Sequence, residues 1–106
     1  MPSYIVLMNL TDQGIKTIKD APARIEAMSK SLKGAGGRMV GFYSVMGQYD
    51  YVAIVEGPDD EAAMTQLITL GMLGNVRTTT LRAFSAKELA KIVKKLPKPA
   101  TKRRGA

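Results

Sequence analysis

Five side chains in this chain could do chemistry, and they sit in two places. Tyr43, Tyr49 and Asp50 cluster at the turn Gly47-Gln48-Tyr49-Asp50 and the apolar run before it. Arg77 and Thr79 alternate in VRTTTLRAF, which puts both on one face of an extended segment. A phenol can act as an acid, a carboxylate as a base, and an arginine as a clamp for an anion. Each residue also has a structural role open to it. Asp50 can hydrogen-bond its own turn, Tyr43 and Tyr49 can pack over strands, and Arg77 and Thr79 suit a solvated edge strand. The five mark a ligand-binding or interface site rather than a catalytic set. Lys16, Lys19 and Arg24 are further groups that could join an anion pocket with Arg77.

The remaining chemistry is narrow. The 106-residue chain contains neither histidine nor cysteine. That removes the commonest general base and metal ligand, and with them disulfides, thiolate metal sites and cysteine nucleophiles. The triplet Asp59-Asp60-Glu61 reads as helix capping, because adjacent residues at a helix start point in different directions. Gly34-Ala35-Gly36-Gly37 follows a helix and precedes a strand, the reverse of the order a phosphate loop requires. No metal or cofactor is indicated. The seven methionines read as core packing.

The elements that must position these residues follow from periodicity. Tyr4 to Leu10 is an apolar run, read as a first strand buried on both sides. Asp12 and then Asp20 start helical segments, and Ala21, Ile25, Met28 and Leu32 recur on one helix face until Gly34, Gly36 and Gly37 end it. Arg38 to Gly57 reads as a β-hairpin. In its first strand Val40, Phe42, Ser44 and Met46 share one face, and Met39, Gly41, Tyr43 and Val45 the other. Tyr51 to Glu56 forms its second strand. A helix then begins at Asp59-Asp60-Glu61, with Ala63, Met64, Leu67, Ile68 and Met72 as its buried stripe and Gly74-Asn75 as its C-cap. Val76 to Phe84, rich in threonine and carrying Arg77 and Arg82, reads as an edge strand. Ser85 and Glu88 form a capping box for a basic amphipathic helix over 85–96.

The order β-α-β-β-α-β plus a tail helix predicts an α+β, ferredoxin-like fold with both main helices on one face of an antiparallel sheet. The first three strands are apolar on both faces, so the face away from the helices is predicted to be apolar too. A face of about 500 Å² would contribute roughly 12 kcal/mol on burial, before the costs of association. A twofold homodimer packed sheet to sheet is the expected cover, and the tail helix in cis is the competing one.

Charge is unevenly placed. Residues 1–86 carry eight basic and eight acidic side chains, while residues 87–106 carry eight basic ones against Glu88, so the whole net charge of +7 lies in the second segment. Residues 1–96 are read as one domain and 97–106 as a disordered basic arm. Lys98, Lys102, Arg103 and Arg104 could meet nucleic acid or an anionic surface, though no aromatic residues interleave them for base stacking. No window is long and apolar enough for a membrane span, and the expected location is cytoplasmic.

These residues resemble the GYD domain family, named for a glycine, tyrosine and aspartate at the hairpin, here Gly47-Gln48-Tyr49-Asp50. The likeness extends to LTDQGIK (10–16), KDAPAR (19–24), Gly36-Gly37, FYSVMGQYD (42–50), EGPDDEA (56–62) and GNVRTTTLRAF (74–84). Leu10 stands where the family often has tryptophan, and the basic end lies outside the pattern. The resemblance implies a bacterial ferredoxin-like domain of the dimeric α/β-barrel type. Three functions are compatible with the whole. The leading one is a non-catalytic, oligomeric small-molecule-binding or assembly protein, with a small anion as one expected ligand. The second, by analogy of fold, is a cofactor-independent monooxygenase or isomerase using Tyr43, Tyr49, Asp50 and Arg77. The third is nucleic-acid association through the basic end.

Overall fold

The computed structural model of the chain describes residues 1–98. Its elements run β1 (Ser3–Leu10), α1 (Asp12–Lys16), a 3₁₀ turn (Ile18–Asp20), α2 (Ala21–Gly34), β2 (Arg38–Ser44), β3 (Tyr51–Glu56), α3 (Asp60–Met72), β4 (Val76–Ala83) and α4 (Ala86–Lys94). The four strands form one antiparallel sheet in the order β2-β3-β1-β4, with β4 at an edge as its threonines and arginines predict. This is the ferredoxin-like arrangement.

Registry divides the strands into two faces. Tyr4, Val6 and Met8 of β1 lie beside Val55, Ala53 and Tyr51 of β3, and all six are buried under α2 and α3. Phe42 tilts against Tyr51 there, with ring centroids 5.0 Å apart. Leu32, Met28, Leu67 and Leu70 supply the helix side of the core. The intervening residues, Ile5, Leu7, Val52 and Ile54, face the other way.

Four local expectations need correction. First, strict alternation in β2 fails at a bulge. Met39 pairs with Val55 and Gly41 with Ile54, so Val40 is an extra residue. The bulge puts Met39 and Phe42 together on the core side and turns Val40 outward. Second, Thr11 rather than Asp12 caps α1, accepting from the Gly14 amide. Asp20 makes no side-chain cap either, because the 3₁₀ turn leads directly into α2. Third, only Ala63, Leu67 and Leu70 of α3 pack on the core. Met64, Ile68 and Met72, four residues apart, form an exposed stripe. With Met46 also exposed in the hairpin loop, the methionines are not uniformly core residues.

The fourth correction concerns α4. Its capping box is present, with Ser85 and Glu88 exchanging side-chain and backbone bonds, and the bond from the Ser85 amide holds the Glu88 carboxyl below its usual range. Yet Leu89, Ile92, Val93 and Leu96 are all exposed, and α4 has no extensive packing against any other element. The tail helix does not cover the sheet.

Candidate functional site

The face of the sheet opposite the helices is built in cross-strand rows. One row runs Gly41, Ile54, Ile5, Leu81; the next runs Tyr43, Val52, Leu7, Thr79. Arg77, beside Asn9, borders it at one end, and the Arg38–Glu56 pair at 2.7 Å borders it at the other. The rows are apolar at their centre and polar at their rims. Tyr43 is 58% exposed and Leu81 48%, while Ile5, Leu7, Val52 and Ile54 are part-covered only by their neighbours in the sheet. The Tyr43 ring lies along Gly41, where an added Cβ would meet Cε2 at 3.3 Å. A residue without a side chain thus lets the ring lie down and extend the apolar surface.

Tyr43, Arg77 and Thr79 therefore share this face, but on opposite edge strands. Three strand spacings, about 14 Å, separate their backbones. Asp50 does not join them through its carboxylate. Its Oδ2 accepts from the Leu10 amide at 2.8 Å, and its own amide donates to the Met8 carbonyl at 2.9 Å. The carboxylate thus ties the hairpin turn to the end of β1, not to the turn's own backbone. Tyr49 beside it is half-buried. Among the described residues no hydrogen bond or ion pair joins any two of Tyr43, Tyr49, Asp50 and Arg77.

Arg24 is also engaged elsewhere. Its guanidinium donates to the Thr17 carbonyl and hydroxyl at 3.1 and 3.0 Å, and to the Gly14 carbonyl at 3.3 Å, fastening α2 to the end of α1. Lys98 is exposed, whereas Lys102, Arg103 and Arg104 lie outside the described residues. Among the described residues no group of histidine, cysteine, aspartate and glutamate could hold a metal. No helix there is long and apolar enough to cross a membrane.

Two features on the helix side were not visible in the sequence. The first is a polar cluster. The Tyr4 hydroxyl donates to Asp60, Arg82 stands 3.9 Å from the same carboxylate, and the Arg82 guanidinium lies 4.5 Å over the Phe84 ring. Burial, then the Asp60 hydrogen bond and charge, push the Tyr4 phenol up to about 12, against an opposing pull from Arg82. A phenol raised in the folded state keeps its proton above pH 10 while the unfolded chain loses it. Its contribution to stability is present below pH 10 and lost as pH rises through about 12. An ultraviolet titration of the folded protein should therefore show a late tyrosinate component near pH 12, absent in Tyr4→Phe. The second feature is a cavity of about 310 Å³ between α2, α3 and the sheet, lined almost wholly by apolar side chains. Only the pairing of β4 with β1 brings Thr80 and Arg82 to these places, and that registry cannot be read from spacing.

Comparison with known proteins agrees with this fold. Residues 4–93 match the family described as GYD domain. A Thermus thermophilus protein named "Glutamine synthetase and cystathionine beta-lyase binding protein" is 38% identical over 90 residues, which cover 84% of this chain and 95% of that one. Two solved structures from M. tuberculosis share the fold at 26% identity. One is a feast or famine regulatory protein complexed with L-methionine, with a TM-score of 0.62 over 81% of this chain and 52% of that one. The other is a leucine response regulatory protein, with a TM-score of 0.61 over 80% and 51%. The chain spans about half the length of those two regulators.

Proposed function

The chain belongs to the GYD domain family, and from that premise we propose that it is a non-catalytic binding and assembly protein. It pairs with a second copy through the bare sheet face, and the pair docks on an enzyme. The observation that carries this reading is the open apolar face made by Ile5, Leu7, Val52, Ile54 and Leu81, which neither α4 nor any other element among the described residues covers. An apolar surface of this kind, rimmed by polar groups, marks a protein contact. Arg77 and Thr79 at its edge are placed to meet an acidic side chain or a small anion, and Arg77 has no salt-bridge partner among the described residues.

Away from the paired sheet faces, α3 presents an exposed apolar stripe of Met64, Ile68 and Met72. Flexible, polarizable methionine side chains suit adaptable docking. The Thermus thermophilus relative is named for binding two enzymes, and an enzyme is the partner proposed here. The test uses glutamine synthetase purified from the same organism as the immobilised partner. The chain should bind it, and Ile68→Glu should weaken binding more than tenfold while leaving the chain's own oligomeric mass unchanged. Binding unaffected by Ile68→Glu, or no binding at all, would remove this docking role.

A further inference from the structure

We infer that the cavity between the helices and the sheet binds a medium-chain aliphatic carboxylate, its chain in the apolar space and its head on Arg24 and Asn75. The site lies across the sheet from the pairing face, and the inference does not rest on that pairing. The cavity holds about 310 Å³, with Val6, Met28, Leu67 and Leu70 among its walls. At about 30 Å³ for each water in the liquid, that is space for about ten non-hydrogen atoms, the size of an eight-carbon acid. The volume is within the ordinary range of small-molecule pockets. The Ser31 hydroxyl on α2 donates to Gln66 on α3 at 2.9 Å, and both residues border the cavity. That strap leaves no continuous trough for a docking helix and favours a small molecule.

Charge selects the head. Arg24 is the one basic side chain lining the cavity among the described residues, and it is part-buried. Its Nη1 donates to the Thr17 carbonyl and hydroxyl and its Nη2 to the Gly14 carbonyl, all neutral acceptors. Among the described residues no carboxylate stands within ion-pair distance of it, and its Nε donates to nothing. Asn75 lines the same cavity and is part-buried too. Its Oδ1 accepts from Gln13 at 3.0 Å, and its Nδ2 has no acceptor among the described residues. Gly14 joins the two residues, because its carbonyl takes the Arg24 bond while its Cα sits against the Asn75 carbonyl. A guanidinium with no counterion and a spare N–H, close to a spare amide donor, suits an anion. Glu56, the one acidic residue lining the cavity, has its carboxylate on the other face of the sheet, paired with Arg38 at 2.7 Å. A ligand ammonium would therefore find no partner, and a phosphate dianion would find a single cation. A monocarboxylate with an apolar body matches both the one cation and the apolar walls.

The test titrates the full-length protein with octanoate, with 1-octanol and with acetate, and follows thermal unfolding and calorimetric binding. Octanoate should raise the unfolding temperature saturably, 1-octanol should bind more than tenfold less tightly, and acetate, which has the head without the chain, should have no effect. Arg24→Gln should weaken octanoate binding more than tenfold, the worth of a hydrogen bond to a charged group, and leave 1-octanol within about threefold. Because Arg24 also fastens α2 to α1, Asn75→Asp is the second variant. It keeps the acceptor for Gln13, so it should fold, and it sets a negative charge where the ligand's head would lie. It too should weaken octanoate more than tenfold and spare 1-octanol. Ala63→Leu, which fills the space from α3, should weaken octanoate more than tenfold. The inference is overturned if octanoate leaves unfolding unmoved, or if acetate shifts it as much. It is equally overturned if a folded Asn75→Asp or Ala63→Leu binds octanoate unchanged, or if the head-group variants weaken octanoate and 1-octanol alike.

Discussion

Ile54→Lys is expected to convert the protein into a folded monomer. Ile54 stands at the centre of the open face, between Ile5 on β1 and Gly41 on β2. In the isolated chain its side chain is only part-covered, so a lysine there reaches water and the core is untouched. In a twofold pair the same lysine is buried on both sides of the contact, without a counterion. An uncompensated buried charge costs about 3–5 kcal/mol. The dissociation constant should therefore rise by at least about a hundredfold, with the far-ultraviolet circular dichroism unchanged. Met46→Lys, at a side chain 99% exposed in the hairpin loop, serves as the matched control and should leave association intact. Native mass spectrometry across a dilution series measures both. An Ile54→Lys protein that associates like the parent would place the contact elsewhere.

Gly14→Ala should be the most damaging small substitution in the fold. Helix propensity alone argues the opposite sign, since alanine is better than glycine inside a helix by about 1 kcal/mol. Geometry outweighs it. A Cβ on Gly14 would lie 2.0 Å from the Asn75 carbonyl oxygen, which is fixed backbone. That oxygen already accepts from the Thr11 amide at 3.0 Å, while the Thr11 hydroxyl donates to Gly74 at 2.6 Å and Gln13 reaches Leu73 and Asn75. Accommodating one methyl means lifting α1 from the turn between α3 and β4 and breaking that set of bonds. A net loss of about 3 kcal/mol is expected, read as a lower urea midpoint with an unchanged slope. A shift below about 0.5 kcal/mol would mean that α1 is not held against that turn.

The architecture was legible in the sequence because its signals are local. Alternation and helical spacing define the elements, glycines end the main helices, Ser85 with Glu88 announces α4, and the arginines and threonines of 76–84 place β4 at an edge. The resemblance at Gly47-Gln48-Tyr49-Asp50 located the family. What was not legible depends on registry or on facing. The bulge at Val40 turns on one unpaired residue and leaves no trace in composition. The α3 stripe was misassigned because an apolar helix with two apolar sides does not declare which one meets the sheet. Asp50 was read as serving its own turn, since nothing in the sequence brings the Leu10 amide, forty residues away, to its carboxylate. Tyr4, Asp60, Arg82 and Thr80 were missed because three of them come together through the pairing of β1 with β4 and Asp60 comes from a helix packed over the strand ends. Tyr43, Arg77 and Thr79 do share a surface, yet on opposite edges, so the face and not a pocket is what they have in common.

Sedimentation equilibrium of the unaltered chain at micromolar concentration tests the pairing of sheet faces most directly. The account predicts a particle of twice the 11.5 kDa chain mass, dissociating only on strong dilution. A single 11.5 kDa species at every concentration would mean that Ile5, Leu7, Val52 and Ile54 meet water in the native state, and would contradict it.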